Sequence, residues 1–115
     1  MVIYNMNVLK DKLFLSEETS IVTSDFIGNS NLGELLTLEV TGTSTTFEIL
    51  VEGILDINST NWVTLGWISM DNTVGTTIIA KGIYEIVVQN LSKVRVNLSS
   101  ISNGNISVYG RMCGE

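Results

Sequence analysis

Alternation of apolar and polar residues with a period of two is the feature that most constrains the fold of this chain. From about position 35 onward, β-branched and aromatic residues recur at every second position, while the spacing of an amphipathic helix is nearly absent. Leu36, Leu38 and Val40 alternate with polar neighbours in this way, and Val94 and Val96 do so later. Because successive side chains of a strand point to opposite faces, the pattern predicts strands with one buried and one wet face.

Turn-forming segments divide this region into short strands. Residues 42–45 separate two alternating runs, and this arrangement predicts a β-hairpin. A further strand is predicted over residues 62–70, and Asn103-Gly104 is typical of a two-residue turn between the last two strands. About seven or eight strands without intervening helices predict an all-β fold, an antiparallel β-sandwich or jelly roll.

The first 34 residues are less regular than the rest. Residues 2–9 alternate as a strand does, residues 16–19 have the composition of a capped helical turn, and residues 24–33 have the composition of a loop. A length of 115 residues fits one domain. We predict that residues 35–115 form the sandwich core and that residues 1–34 form either an arm or the first strands of the sandwich.

The charge of the chain argues against nucleic-acid and membrane partners. There are 12 acidic and 6 basic residues, and the basic ones form no dense cluster, so attraction to phosphate backbones or anionic lipids is weak. No apolar run approaches the roughly 20 residues that span a bilayer. The N-terminus lacks the pattern of a secretory signal, so we expect synthesis in the cytosol.

The residue types that common catalytic sites require are absent or isolated. Histidine is missing, so serine and cysteine nucleophiles lack their usual base and zinc lacks a common ligand. Cys113 is the single cysteine. Glu48 and Glu52 would lie roughly 13 Å apart on one strand, beyond the carboxylate spacings of glycosidases. We therefore predict that the chain is not an enzyme and has no catalytic, cofactor or metal site.

Two polar loops hold oxygen ligands of the kind that calcium uses. One contains Asp56, Asn58 and Asn61, and the other contains Asp71 and Asn72. Neither loop has the dense, spaced acids of a dedicated calcium site. Turns in which a side-chain oxygen accepts a backbone hydrogen bond explain both loops better.

Four aromatic residues are the candidates for an interaction surface: Trp62, Trp67, Tyr84 and Tyr109. Such rings stack on sugars in carbohydrate-binding sandwiches, and Trp62 follows a polar loop, where recognition side chains are common. Five residues apart on one predicted strand, the two tryptophans point to opposite faces, so at least one packs in the core or in an interface. A carbohydrate-binding or receptor-binding module, with a surface glycan as partner, is the alternative function.

The edges of the predicted sheets lack two common protective devices. Proline is absent and lysine is scarce, and both residues ordinarily block the pairing of an edge strand with another chain. We therefore expect self-association into a homo-oligomer, a trimer being one such assembly.

Five segments between Phe47 and Arg111 have a recurring pattern: FEILVEG at 47–53, NWVTL at 61–65, GIY at 82–84, VRV at 94–96 and GNISVYG at 104–110. In these segments the chain resembles small β-sandwich proteins from the structural modules of tailed bacteriophages. The resemblance implies a non-enzymatic virion protein, either a capsid decoration or auxiliary head protein or a tail-associated or collar-associated component. It implies a location in the virion and contacts with other virion proteins. Arg95 matches the recurring arginine, and we expect it to pair with an acidic neighbour.

Overall fold

The computed structural model describes residues 7–28 and 33–114. These residues form 12 β-strands and no helix. The strands are β1 (Asn7–Glu18), β2 (Val22–Thr23), β3 (Ile27–Gly28), β4 (Leu35–Gly42), β5 (Thr46–Ile54), β6 (Val63–Thr64), β7 (Trp67–Ser69), β8 (Val74–Gly75), β9 (Thr77–Ile78), β10 (Gly82–Val87), β11 (Lys93–Ser102) and β12 (Ile106–Gly114). Within the described ranges there is accordingly no helical segment able to cross a membrane.

Two antiparallel sheets form the sandwich. Sheet A has the strand order β1-β12-β4-β10-β7-β8. Sheet B has the order β2-β11-β5-β6, with β3 also on β11 and β9 also on β5. The predicted all-β antiparallel sandwich is confirmed. The strands outnumber the predicted seven or eight because six of the 12 have only two or three residues, too short to produce an alternating pattern.

The core lies between the two sheets and is built from alternate residues of the long strands. Leu36, Leu38 and Val40 of β4 are buried, whereas Glu39 and Thr41 between and after them are exposed. The same alternation buries the core-facing residues of the other long strands: Phe47, Ile49 and Val51 in β5, Val94, Val96 and Leu98 in β11, and Ile106, Val108 and Met112 in β12. Period-two patterning therefore identifies the core side of β4, β5, β11 and β12 correctly.

The two strand pairs expected to form hairpins lie in different sheets. β4 belongs to sheet A and β5 to sheet B, and likewise β11 belongs to sheet B and β12 to sheet A. Each connection is an arch that crosses between the sheets, so the hairpin prediction at residues 42–45 is wrong. In each pair the apolar sides of the two strands face each other across the core, so both sides are buried. At the second arch, Asn103 and Gly104 do have the positive φ values, 57° and 80°, that the turn composition indicates.

The two arches contact each other at one end of the sandwich, called the arch end below. The carbonyl oxygen of Asn105 accepts hydrogen bonds from the backbone N–H groups of Thr43 and Ser44 at 3.0 and 3.1 Å. The hydroxyl oxygen of Thr43 in turn accepts from the backbone N–H of Asn105 at 3.0 Å. Buried Ser44 donates to the carbonyl of Ser102 at 3.0 Å. The crossings therefore stabilise each other.

The strand predicted over residues 62–70 is interrupted by a change of sheet. β6 lies in sheet B and β7 in sheet A, and the chain passes between them at Leu65 and Gly66. Trp62 precedes β6 and Trp67 begins β7. The two tryptophans thus adjoin strands of different sheets and do not point to opposite faces of one strand.

The N-terminal segment contributes strands to both sheets. β1 pairs with β12 in sheet A, and β2 and β3 pair with β11 in sheet B. The helical turn predicted at residues 16–19 is wrong, because β1 continues to Glu18, which pairs with Ile106. Of the strand predicted at residues 2–9, residues 2–6 lie outside the described residues and residues 7–9 belong to β1. Residues 29–32 of the predicted loop also lie outside them.

Candidate interaction surface

Exposed apolar side chains are concentrated on the outer face of sheet A. The strand register aligns the outward residues in rows: Val8, Cys113, Leu35 and Val87 in the first, Asp11, Arg111, Thr37, Glu85, Ile68 and Val74 in the second, and Leu13, Tyr109, Glu39 and Ile83 in the third. Seven of these side chains are large, apolar and exposed, from Tyr109 at 37% to Val74 and Val87 at 69%. This outer face is our candidate interaction surface.

The outer face of sheet B is polar by comparison. Arg95 of β11 faces Glu52 of β5, and its Nε lies 2.9 Å from Glu52 Oε1. The hydroxyl of Ser99 donates to the Glu48 carboxylate at 2.9 Å. The expected pairing of Arg95 with an acidic neighbour is confirmed. Because these groups satisfy one another, this face offers less to a partner than the outer face of sheet A.

Trp62 lies on the outer side of sheet B, next to Arg95. The guanidinium carbon of Arg95 is 4.0 Å from the Trp62 ring centre. The Phe26 ring lies 6.4 Å from the Trp62 ring, and Lys93 Nζ lies 4.5 Å from the centre of the Phe26 ring. Stacking of cations on aromatic rings stabilises such clusters. Arg95 occupies one face of the indole, so that face is not free to stack on a sugar.

Trp67 and Tyr84 contact each other at the periphery of the core. Their ring centres are 4.8 Å apart in an edge-to-face arrangement. Tyr84 is buried, and its hydroxyl donates to the carbonyl oxygen of Ala80 at 2.5 Å. Trp67 packs against the core cluster while remaining partly exposed. We predicted that at least one tryptophan packs in the core or in an interface, and Trp67 does pack against the core.

Tyr109 lies apart from the other three aromatic residues, in the third row of the outer face of sheet A. It neighbours an ion pair in which Arg111 Nε is 2.9 Å from Asp11 Oδ1. The Arg111 hydrogen bond holds the pKa of Asp11 below its ordinary value, and hydrogen bonding to Asp11 raises the pKa of Tyr109. Glu39, Ile83 and Arg111 line a shallow groove beside Tyr109. The four predicted aromatic residues therefore lie in three places and form no single surface.

The two polar loops considered for calcium form turns of the expected kind. Asp56 Oδ1 accepts from the backbone N–H of Asn58 at 2.9 Å, and Asp71 Oδ1 accepts from that of Thr73 at 3.2 Å. Asn72 has a positive φ of 68°, which asparagine tolerates in turns. The carboxylates of Asp56 and Asp71 therefore each bond the backbone of their own turn.

Known protein families and solved structures include relatives of this sandwich. A family model described as XepA matches residues 11–112, which include all strands of both sheets apart from the ends of β1 and β12. The chain belongs to the XepA family. A search of curated proteins finds no match.

Two solved structures have the fold of this XepA-family chain. The SPBc2 prophage-derived protein YomS aligns with a TM-score of 0.83 at 21% identity, covering 99% of each chain. The PBSX exported protein XepA aligns with a TM-score of 0.86 at 17% identity, covering 99% of this chain and 40% of that one. The chain therefore spans less than half of the length of that XepA protein. At these identities the two structures show a shared sandwich fold.

Sequence reasoning missed the outer face of sheet A in this XepA-family chain. The informative pattern lies in β10, where Ile83 and Val87 point outward while Tyr84 and Ile86 point inward. A strand with apolar residues on both faces predicts that each face is covered. That departure from strict alternation is visible in the sequence, although the neighbours that extend the surface are not.

Replacement of Arg95 by lysine tests the cluster at Trp62. Lysine lacks the planar guanidinium that stacks on Trp62 while it bonds Glu52, so Arg95→Lys should lower the free energy of unfolding by about 1 kcal/mol. The matched control is Arg111→Lys, whose ion pair has side chains 51% and 36% exposed and should matter less. Urea unfolding measures both changes. Equal losses in the two variants would contradict a special role for the cluster.

Tyr84 should make stability depend on alkaline pH. Burial raises the pKa of Tyr84, and the nearby Asp71 carboxylate raises it further. The folded chain thus holds this proton more tightly than the unfolded chain does. Its contribution is complete below the unfolded pKa of about 10 and is lost as pH rises through the folded value. The free energy of unfolding, measured at increasing alkaline pH, should fall less steeply for Tyr84→Phe than for the parent chain. An unchanged dependence on pH would contradict the assignment.

Proposed function

We propose that this XepA-family chain is a phage-encoded structural subunit that acts by contact with other protein surfaces and has no catalytic role. The observation that carries the proposal is the outer face of sheet A, with seven exposed apolar side chains. Extended exposed apolar patches are typical of protein interaction sites. The prophage origin of YomS and its shared fold support a phage origin for this chain.

The specific role that we propose is that of a virion component, either a capsid decoration or auxiliary head protein or a tail-associated or collar-associated piece. The resemblance in the sequence between Phe47 and Arg111 supports this role. A sandwich whose arches are hydrogen bonded to each other suits a rigid part of a larger particle. XepA of PBSX is an exported protein, so the alternative to location in the virion is export of this chain from the cell.

Self-association is proposed through a face of sheet A and not through its long edge. β1 forms that edge, and it includes Lys10 and Lys12 and three irregularities of register. Lysines and bulges both hinder the addition of another strand. On the outer face, exposed apolar side chains lie on both sides of a row that contains Asp11, Arg111 and Glu85, so we propose that a second copy of the chain packs against this face, in a trimer or another closed assembly.

A charge placed on the outer face of sheet A tests self-association. Val87 is 69% exposed there, and Val87→Lys should shift the chain from oligomer to monomer in size-exclusion chromatography with light scattering. Val63→Lys is the matched control, because Val63 is 62% exposed but belongs to sheet B. A monomeric parent chain, or equal dissociation of both variants, would contradict the proposed interface.

Fractionation of a phage lysate tests the virion role. Particles are separated from soluble protein on a density gradient, and the chain is then quantified in each fraction by mass spectrometry. We expect it to sediment with the particles at a fixed ratio to a known virion protein. Recovery in the soluble or exported fraction alone would contradict a virion role without affecting the family assignment.

A further inference from the structure

A cleft of about 400 Å³ opens near the arch end, between the β7–β8 turn and the β9–β10 turn. The aromatic pair Trp67 and Tyr84 forms part of its wall, and the exposed apolar side chains of Met70 and Ile79 line it as well. Lys81 also lines the cleft. A volume of this size, with mostly apolar walls and a few polar groups, is typical of small-ligand sites.

The polar groups of the cleft are balanced in charge and rich in hydroxyls. Asp71 and Lys81 are the only charged residues among those that line it, and Ser69, Thr73 and Thr77 contribute hydroxyl groups. A ligand with a net charge gains no overall attraction from one acid and one base. A ligand with an apolar face and several hydroxyl groups finds aromatic and aliphatic contacts together with both donors and acceptors. We propose that this cleft binds a neutral carbohydrate.

Asp71 is the acceptor best placed for sugar hydroxyls. Its Oδ1 accepts from the Ser69 hydroxyl and from the backbone N–H of Thr73, and these bonds hold the pKa of the carboxyl below its ordinary value. The carboxylate is close enough to Tyr84 to raise the pKa of that phenol. An ionised carboxylate fixed beside an aromatic wall forms strong, directional hydrogen bonds with hydroxyl groups.

Trp67 supplies an independent observation at the same place. Its Nε1 is buried and has no hydrogen-bond partner within the described residues. Buried polar atoms in native structures nearly always have a partner, so a donor without one requires an explanation. A sugar hydroxyl would supply the acceptor if binding turned the indole N–H towards the cleft. That rotation would change the fluorescence of Trp67.

This site borders the outer face of sheet A, with which it shares Ile83, but it does not depend on a virion role. It also differs from a sugar site centred on Trp62, one face of which is covered by Arg95. If Trp62 is replaced by phenylalanine, Trp67 becomes the one tryptophan of the chain, because the sequence contains two. Trp62→Phe keeps an aromatic ring beside Arg95 and provides a fluorescent reporter confined to the cleft.

The experiment combines a glycan array with fluorescence titration. The intact Trp62→Phe chain is applied to an array of neutral and acidic oligosaccharides, and the strongest neutral binder is then titrated in solution. We expect saturable binding that changes Trp67 fluorescence. Asp71→Asn keeps an oxygen for the turn but removes the charge, and it should weaken binding about tenfold or more. Asp56→Asn makes the same change in a turn outside the cleft and should leave binding unchanged.

Three results would overturn the proposal. The first is the absence of binding to any neutral glycan on the array. The second is an equal effect of Asp71→Asn and Asp56→Asn, once circular dichroism shows that both variants are folded. The third is tighter binding of acidic than of neutral oligosaccharides, which would contradict the neutral ligand class.

Discussion

Gly42→Ala is expected to lower the free energy of unfolding by about 2–4 kcal/mol. Gly42 has a φ of 133°, a region that residues with a side chain rarely adopt. A Cβ at this position would lie 2.2 Å from the carbonyl oxygen of Asn105 and 2.9 Å from the Cα of Ile106. Both neighbours are backbone atoms of the second arch, so no side-chain rotation relieves the contact. The cost should appear as a lower urea midpoint.

Gly66→Ala is the matched control for this prediction. Gly66 is exposed, its φ lies outside the strained positive range, and the nearest atom to an added Cβ is the carbonyl oxygen of Gly75 at 3.6 Å. Alanine at an unstrained position changes stability by roughly 0.5 kcal/mol or less, or stabilises slightly. If the free energy of unfolding falls no more for Gly42→Ala than for Gly66→Ala, the second arch can move to accept a Cβ at position 42, which would contradict the prediction.

Phe14→Ala is expected to lower the free energy of unfolding by about 3–5 kcal/mol. Phe14 of β1 is only 7% exposed and belongs to the core cluster. Its ring covers Gly110 of β12 so closely that a Cβ there would lie 2.4 Å from a ring carbon. The glycine provides the space and the phenylalanine fills it, which fixes the position of the edge strand. Removal of the ring therefore leaves a cavity between β1 and the rest of sheet A.

Leu13→Ala provides the comparison within the same strand. Leu13 is the preceding residue, points outward and is 53% exposed, so its loss should cost less than about 1 kcal/mol. Hydrogen exchange adds a local measurement, because the amides of β1 should lose protection in Phe14→Ala before those of β11 do. Similar stabilities for the two variants, with β1 still protected, would contradict the anchoring role of Phe14.

Local patterning predicted the strands and their buried faces but not the partners of each strand. Leu36, Leu38 and Val40 alternate with polar residues, and this pattern depends only on which side of the strand meets the core. A hairpin and an arch require the same turn residues and bury the same side chains. The choice at residues 42–45 and at Asn103-Gly104 is made by hydrogen bonds between segments about 60 residues apart, such as that from Thr43 to Asn105.

The candidate surface was less predictable than the fold because its members are distant in the sequence. Val8 and Val87 lie in one row only because β12 and β4 stand between them in register. The aromatic residue type suggested candidates for an interaction surface but did not show which of them lie on the surface. Tyr109 points to solvent from sheet A, whereas Tyr84 points to the core. The sequence predicted the pairing of Arg95 with an acidic residue. Its contact with Trp62 depends on where the loop before β6 lies, which the sequence does not show.

The position of β12 inside sheet A, next to the edge strand β1, has a consequence for biosynthesis. β12 lies between β1 and β4, so sheet A remains divided until the last described strand has been synthesised. During translation β1 has no partner on the nascent chain, and its apolar residues Phe14 and Leu15 stay accessible. Folding dominated by such distant pairings is slow, and the incomplete chain is prone to aggregate. We therefore expect sheet A to close only once β12 has emerged from the ribosome, and the incomplete domain to need protection by chaperones until then.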